Sequence, residues 1–521
     1  MGSAEELAAE VDRLREEVAT LQQEKHDEAA RLREENALLK QQRDDLEARV
    51  RDLRARIFGK KTERFADHPL LPFPDDIEEP EAPPHVDEAP DDECDEIETS
   101  KPKKKRRSRG APRLGPTLER VEEMIEPSEE ERSCSCCSEQ REIIGYETTE
   151  KLECNPANYF IRVIRRPKLV CKKHEEAGVV TPELPPQAIH KGLAGESMLA
   201  HVITSKYRDH LPLYRQSQIA RRHGVELSES TLGDWIRQSA ELLQPVVTAM
   251  HKRIVRGNYV ASDDTSITVL GGAKRKGSKR AFLWSYVGDK GDVVFDFTSG
   301  RSRDGPKRML EGFRGYHQAD AYSGYKPIYE NGDIVEVGCM AHARRRFHDA
   351  MQTSREHATT ALHAIRRLYE IERDARDLEP EERHSMRQSQ ALPIFDDFHN
   401  WLLVLSDHVL PKSPIGKAIT YFVRNAKALH RYLDDPALRI DNNRVERTMR
   451  QVAVGRKNWL FAGSEEGGHR AAVLYSLTVS CWEVSLDPFA YLTDVLRRLS
   501  TTPSADVESL TPRDWHAANP Q

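Results

Sequence analysis

The chain has no long apolar run, few cysteines and few aromatic residues for its length. Of its 521 residues, 8 are cysteine and 7% are aromatic. No segment approaches the roughly 20 apolar residues of a membrane-spanning helix, so no membrane partner is expected. The start, Met1–Glu10, is acidic and follows a helical pattern, unlike a secretory signal. We therefore expect a protein of the reducing cytoplasm, where clustered cysteines bind metal more often than they form disulfides.

Charge is distributed unevenly along the chain. The formal net charge is −7, but Asp75–Glu98 holds 13 acidic residues and no Lys or Arg, so the rest of the chain carries +6. Next to it, Lys101–Arg109 has seven basic residues in nine. An acidic run beside a basic one is typical of a nucleic-acid binder with a self-masking tail, and also of a solvated, self-repelling linker.

The N-terminal region predicts a self-association helix followed by a linker. Leu7, Leu14 and Leu21 share one heptad position, and Leu residues recur every seven positions from Leu32 to Leu53. This pattern predicts a coiled coil over residues 1–58, and hence at least a dimer. Residues 59–112 combine Pro with acidic and then basic residues and have few aromatics, so we predict a disordered linker.

Residues 113–185 predict a small zinc-binding module. Cys134 and Cys137 form a C-x-x-C knuckle, Cys171 and His174 form a C-x-x-H knuckle, and alternating apolar residues between them suit a hairpin. Two knuckles around a hairpin give a closed tetrahedral site, so the Zn²⁺ would be structural. Cys136 and Cys154 remain alternative ligands.

Residues 186–255 resemble a helix-turn-helix. A basic amphipathic helix containing Arg215, Arg221 and Arg222 ends near Gly224, and Ser228 or Ser230 can cap a second helix. Leu232, Trp235 and Ile236 would face inward, while small polar residues at the start of the second helix could face DNA. A helical hairpin without DNA contact is the alternative.

Three carboxylates suggest a phosphoryl-transfer centre. Asp263 lies in a strand-like run, Asp320 ends a second strand, and Glu446 lies in a helical pattern among arginines. Two Mg²⁺ ions about 4 Å apart need such converging carboxylates, and an RNase-H-like sheet brings them together. Each acid also has a structural alternative: Asn443-x-x-Glu446 matches a capping box, Glu446 can pair with Arg450, and the two aspartates can be turn or cap residues.

The fold expected is a multidomain α/β protein with a mixed-sheet, RNase-H-like core. The first part of the core is predicted over residues 256–340, a helical region over 341–435 and the second part, with the Glu446 helix, over 436–500. Residues 501–521 form a tail.

Several segments together are similar to one family. They are Ile57–Phe65, Leu211–Gln216, Ala319–Tyr325, Ala341–Phe347 and Asp441–Ser464, with the zinc knuckles. On these segments the chain resembles the transposases (large subunit) of the insertion-sequence 66 family. These are DDE transposases with an RNase-H-like domain and a helical insertion. The resemblance covers nearly the whole chain. Asp264 departs from a usual Glu, Met340 from a usual Trp and His174 from a usual Cys.

The resemblance implies that Asp263, Asp320 and Glu446 are the DDE triad and hold Mg²⁺, for which Mn²⁺ can substitute. The implied activity is cleavage of transposon-end DNA and strand transfer into target DNA. Further basic residues would neutralise phosphates: His342, Arg344, Arg345, Arg447, Arg456 and Lys457. Trp459 and Phe461 would either stack on a distorted base or pack in the core. Small accessory proteins of the same element are possible partners, and the expected location is the bacterial cytoplasm, at the nucleoid. The alternatives are an inactive, transposase-derived DNA-binding protein and a metal-dependent nuclease without strand transfer.

Overall fold

The computed structural model describes residues 119–133, 140–155, 158–170, 178–271 and 277–519. The predicted coiled coil (1–58) and linker (59–112) lie outside these residues, and so do Cys134, Cys136, Cys137, Cys171 and His174. The described residues fall into two compact units. We call Gly338–Ile440 the helical unit and the remaining described residues the sheet unit. Among the described helices, none is long and apolar enough to cross a membrane.

The sheet unit begins with a small three-stranded sheet. Its elements are β1 (Glu119–Met124), α1 (Glu129–Arg132), β2 (Glu142–Asn155) and β3 (Asn158–Val170). The strands lie in the order β1-β3-β2, with β2 and β3 antiparallel and β1 parallel to β3. The hairpin predicted between the two knuckles is therefore confirmed, although β1 was not predicted. Cys154, near the end of β2, is buried in the hydrophobic core, which raises the pKa of its thiol to about 12 and disfavours the thiolate that a metal needs.

Three helices follow the small sheet. They are α2 (Glu196–Tyr207), α3 (Leu213–Arg222) and α4 (Glu229–Val255). Gly224 has a φ of 78° and so supplies the left-handed residue that ends the turn after α3. Ser228 caps α4 by accepting a hydrogen bond from the backbone of Thr231. The predicted pair of helices with Ser228 as the cap is therefore confirmed.

A six-stranded mixed sheet forms the centre of the sheet unit. Its strands are β4 (Tyr259–Leu270), β5 (Ser278–Gly288), β6 (Val293–Thr298), β7 (Gly315–Gln318), β8 (Ile334–Val337) and β9 (Phe461–Ala462). The order is β6-β5-β4-β7-β8, and β9 pairs with the end of β4. Strands β4, β5 and β6 are antiparallel neighbours, whereas β7 and β8 run parallel to β4. The short helices α5 (Asp304–Met309) and α6 (Lys326–Tyr329) lie between these strands in the chain.

The helical unit consists of six described helices. They are α7 (Met340–Asp349), α8 (Arg355–Asp374), α9 (Pro380–Met386), α10 (Leu392–Ser406), α11 (Pro414–Arg424) and α12 (Ala426–His430). The apolar stripe of α8, Leu362 to Ile371, is buried. Arg387 in a π-turn is also buried, where it pairs with Glu372 and donates to three backbone carbonyls. This arginine therefore ties the loop after α12 to α8.

Four helices complete the sheet unit. They are α13 (Asn443–Trp459), α14 (Glu465–Glu483), α15 (Pro488–Arg498) and α16 (Pro512–Ala518). The hydroxyls of Ser476 and Ser480 on α14 accept hydrogen bonds from the backbone of β6, so α14 packs against this edge of the sheet. The predicted second part of the core also contains a strand, β9, between α13 and α14. This two-residue strand is too short for a periodic signal, and its pairing with β4 decides its conformation.

Candidate functional site: a carboxylate cluster on the central strand

Strands β4 and β7 bring Asp263 and Asp320 to the same place on the sheet. The last residue pair between these parallel strands is Ala261 with Gln318, and each aspartate follows two residues later. Neighbouring parallel strands run in the same direction. Asp263 and Asp320, each two residues beyond the last pair, therefore occupy adjacent positions. Asp320 Oδ1 also accepts a hydrogen bond from the Tyr322 backbone, so the turn-residue alternative holds for this acid as well.

Helix α13 brings Glu446 to the same strand. Asn442, which precedes the helix, is buried and donates from its side-chain nitrogen to the carbonyl of Ser262 at 2.9 Å. Asn442 is the N-cap and makes no side-chain capping bond, so Asn443 and Glu446 do not form the capping box that their spacing permits. The first turn of α13 is thus attached to the residue next to Asp263.

The carboxylates share one electrostatic environment. The pKa of Asp263 is raised to about 7, mainly by burial and in smaller part by the negative charges of Asp320, Asp264 and Glu446, against a hydrogen bond from the Asp264 backbone. The β4–β7 pairing and the bond from Asn442 to Ser262 thus bring the three acids predicted from the sequence to the same part of β4.

Arg301 is the cation at this cluster, and the sequence analysis missed it. Its guanidinium donates to Asp264 Oδ1 from Nε at 2.9 Å and from Nη2 at 2.7 Å, and Nη2 lies 3.8 Å from Asp320 Oδ2. The guanidinium also lies over the Tyr322 ring, 4.2 Å from its centroid. The only sequence signal was an isolated basic residue shortly after a strand, which is too common to identify a site.

A buried polar network supports the strand beneath the cluster. Ser262 donates to Tyr325 Oη at 2.8 Å, and its oxygen lies 2.7 Å from His317 Nε2. With the Ser262 proton used in this way, His317 must be the neutral Nε2–H tautomer, and its Nδ1 accepts from Tyr329 at 2.7 Å. Burial lowers the pKa of His317 to about 3, in agreement with a neutral ring. The network joins β4 to β7 and to the segment after Asp320.

Five of the predicted DNA-binding residues are exposed in the sheet unit. Arg215, Arg221 and Arg222 are exposed on α3, and Arg447 and Lys457 are exposed on α13. Arg215 Nη1 lies 3.5 Å from the Asn458 side chain, so α3 meets the end of α13.

Arg456 is not exposed, and the other three predicted residues lie in the helical unit. Arg456 is half-buried and donates to Thr265 Oγ1 and to the carbonyl of Ser266, so it fastens α13 to β4. His342, Arg344 and Arg345 lie on α7 of the helical unit.

The donor set defines the class of site. Carboxylate oxygens are the ligands that hard divalent cations such as Mg²⁺ and Mn²⁺ take. The cluster has four carboxylates, on Asp263, Asp264, Asp320 and Glu446, and Arg301 is their neighbouring cation. This leaves excess negative charge that a divalent ion would neutralise. The residues therefore fit a cation-holding acidic site on the central strand of a mixed α/β protein.

Comparison with known families specifies the class further. The family model described as "Transposase IS66 family" matches residues 191–470, which include all three acids. The model described as "IS66 C-terminal element" matches residues 476–513, and that described as "Transposase C of IS166 homeodomain" matches residues 45–122. The chain belongs to the IS66 transposase family. Membership suggests a DNA-cutting transposase that uses divalent metal ions and has DNA as its partner.

Relatives of similar length occur in Sinorhizobium fredii (strain NBRC 101917 / NGR234). Uncharacterized protein y4jD is 35% identical over 417 residues, which cover 77% of this chain and 81% of the relative. Uncharacterized protein y4qI is 34% identical over 413 residues, covering 76% and 75%. Uncharacterized protein y4hP is 31% identical over 428 residues, covering 77% and 76%.

Proposed function

We propose that this chain catalyses DNA transposition through Asp263, Asp320 and Glu446. It would bind the ends of its element, cut the DNA there and join the ends to target DNA. The proposal is supported chiefly by the β4–β7 pairing and the bond from Asn442 to Ser262, which bring Asp320 and the first turn of the Glu446 helix to the part of β4 that carries Asp263. Three acids scattered along a chain are easily found by chance, but three from distant segments that meet at one part of a strand are not.

The proposed core is RNase-H-like. In support, three antiparallel strands, β4 to β6, are followed by β7 and β8, which add in parallel on the other side of β4. The acids come from the middle of β4, from the segment after β7 and from α13, as expected for such a core. The helical unit separates the second acid from the third in the chain.

Asp263, Asp320 and Glu446 would hold two Mg²⁺ ions, and Mn²⁺ would serve as well. When bound, such ions supply charge neutralisation and activate the attacking oxygen in phosphoryl transfer. The protein's own contribution is to fix the carboxylates before DNA arrives. The backbone N–H of Asp264 orients Asp263, that of Tyr322 orients Asp320, and Arg301 restrains Asp264. These bonds leave the site little to reorganise when the reaction begins.

Exposed basic side chains would bind the DNA backbone. Arg447 and Lys457 on α13 share a helix with Glu446, so phosphates bound there lie near the proposed centre. Arg221 and Arg222 on α3 would contact DNA from the helix-turn-helix, and His342, Arg344 and Arg345 are proposed to contact it from the helical unit. The proposed structural zinc at Cys134, Cys137, Cys171 and His174 and the proposed coiled coil would stabilise the module and assemble the chains.

The test is cleavage of end DNA by variants of the full chain. Asp263→Asn, Asp320→Asn and Glu446→Gln should each reduce Mg²⁺-dependent nicking by about a thousandfold or more, whereas end binding in a gel-shift assay persists. Asp333→Asn, at an exposed aspartate of the same unit, is the matched control and should cut normally. Retained cutting by any of the three variants would refute the triad.

Products distinguish the remaining alternatives. With labelled end DNA and a circular target, a transposase yields joined molecules. Nicked ends without joining would indicate a nuclease, and salt-sensitive binding without nicking would indicate an inactive DNA-binding protein.

A further inference from the structure

Leu460 is an exposed leucine held in an unfavourable backbone conformation. It follows α13 with a φ of 61°, and 64% of it is exposed to solvent. A branched aliphatic residue in the left-handed region costs of order 1 kcal/mol, and exposure of its side chain brings no compensating burial. Its neighbour Phe461 is also exposed, at 44%. Neither the strain at Leu460 nor the exposure of the two apolar side chains stabilises the fold.

The position of this pair is fixed from both sides. The Leu460 backbone donates to the carbonyl of Arg456 at 2.9 Å and closes α13, and Phe461 pairs with Thr268 of β4. Trp459, the preceding residue, packs against the core. The exposed pair is therefore a rigid projection between a helix and a strand, both of which carry proposed catalytic acids.

A polar cleft opens beside Leu460. Its walls come from the far half of β4, the start of β5 and the end of α13, and they include Ser266, Thr268, Lys279, Arg280, Arg456 and Leu460. Arg456 holds one wall in place through Ser266 and Thr265, and Lys279 pairs with Glu465 at the start of α14. The lining combines hydroxyls with cationic groups, which suits a phosphate and a polar base better than an apolar ligand.

A basic stripe connects the cleft to the carboxylates. Arg447, Arg450, Val454 and Lys457 are exposed on α13 at spacings of three and four residues, so they lie on one helical face. Along β4, five residues separate Asp263 from Thr268, which corresponds to about 17 Å at about 3.3 Å per residue. That length equals about five base steps of DNA at 3.4 Å each.

We propose that Leu460 and Phe461 form an apolar wedge that enters the transposon-end duplex about five base steps from the phosphate at the carboxylates. The nucleotide displaced by the wedge lies in the polar cleft. This inference rests on the proposed function. End DNA is the chosen occupant because β4 and α13 run without interruption from the acids to the cleft, so the duplex held for cutting reaches the wedge. Apolar side chains that enter base steps are a general way to unstack and kink DNA.

The wedge can be detected with 2-aminopurine, whose fluorescence rises when it is unstacked. The probe is placed at each position from three to eight steps from the cut site in an end duplex, with the full chain present and no divalent metal. One position near five steps should brighten several-fold. Leu460→Ala should abolish the increase while the gel shift persists, and the equally exposed Val404→Ala of the helical unit (63%) should leave it unchanged.

Two further measurements separate this inference from the proposed function. Asp263→Asn should keep the fluorescence increase even as it loses cutting, so failure of the triad and failure of the wedge are independent results. Leu460→Ala should slow cutting by about tenfold, and an abasic nucleotide at the bright position should restore it, because no base then needs to be displaced. The inference is overturned by uniform fluorescence at all positions, by an unchanged signal in Leu460→Ala, or by a signal in labelled target DNA alone.

Discussion

Asp263 and Asp292 are aspartates of the same sheet unit, and in both burial raises the pKa, to about 7 and about 6 respectively. Asp292 faces Arg253 at 2.8 Å, and that arginine also bonds Asp514 and Thr511, so α4, the turn before β6 and α16 are joined. Asp263 instead faces Asp320, Asp264 and Glu446, with Arg301 bonded to its neighbour Asp264.

The comparison separates an acid that is paired within the fold from an acid of the proposed site. A buried carboxylate with a dedicated arginine contributes to the fold, whereas carboxylates gathered against each other cost stability until a cation neutralises them. Burial alone therefore does not distinguish the candidate site from a structural ion pair. The sign of the charges around the buried carboxylate does.

The largest effect is expected from breaking the structural pair. Arg253→Met should lower the free energy of unfolding by about 3–5 kcal/mol, because it leaves Asp292 buried without its partner. The shift of the urea midpoint measures this. Arg256→Met, at an exposed arginine 3.7 Å from Glu508, is the matched control and should cost less than about 1 kcal/mol. Equal losses in both variants would contradict the distinction between the two arginines.

A smaller change in the free energy of unfolding, of opposite sign, is expected at Asp263. The folded-state pKa of Asp263, about 7, lies above its unfolded value, so the folded chain binds the extra proton and stability falls as pH rises from about 4 to about 7. Asp263→Asn removes this loss and should raise the free energy of unfolding at pH 8 by about 2 kcal/mol, and by less at pH 5. Thermal melts at the two pH values measure the difference. Asp292→Asn should destabilise instead, because the loss of the partner of buried Arg253 outweighs the relief of burying the Asp292 charge. A stabilised Asp292→Asn would break the comparison.

The smallest effect concerns the network beneath the cluster. The folded-state pKa of His317, about 3, lies below its unfolded value, so its stabilisation is complete above about pH 6.5 and is lost as pH falls below that. The wild type should lose about 1 kcal/mol through this histidine between pH 7.5 and 5.5. His317→Gln should lose less over the same interval. The same substitution at exposed His408 should leave the pH dependence unchanged, and identical profiles for all three proteins would exclude a neutral His317.

Local pattern was sufficient for the longer elements. The strand-like run that holds Asp263 forms β4, and Ser228 caps α4. These features depend on periodicity and capping, which neighbouring residues determine. The strands β1, β8 and β9, of six, four and two residues, were missed. Such short segments adopt the strand conformation through partners distant in the chain.

The site was predictable in its acids and not in its cation. The sequence context and the family resemblance both identified Asp263, Asp320 and Glu446. Arg301 and Asn442 could be recognised only from their contacts with β4 and the segment after β7. The capping box suggested by Asn443 and Glu446 failed for the same reason. Helix α13 begins where Asn442 is bound to Ser262, and this long-range bond outweighs a local capping preference.

From its residues alone, the chain already specified a mixed α/β protein, its acidic motifs and its family, because side-chain periodicity and motif spacing are properties of the linear order. Only the folded arrangement decided which carboxylates repel one another, which arginine neutralises which acid, and where Leu460 projects. Those outcomes depend on distances between segments that lie far apart in the chain, and Coulomb and packing energies change steeply over a few ångströms.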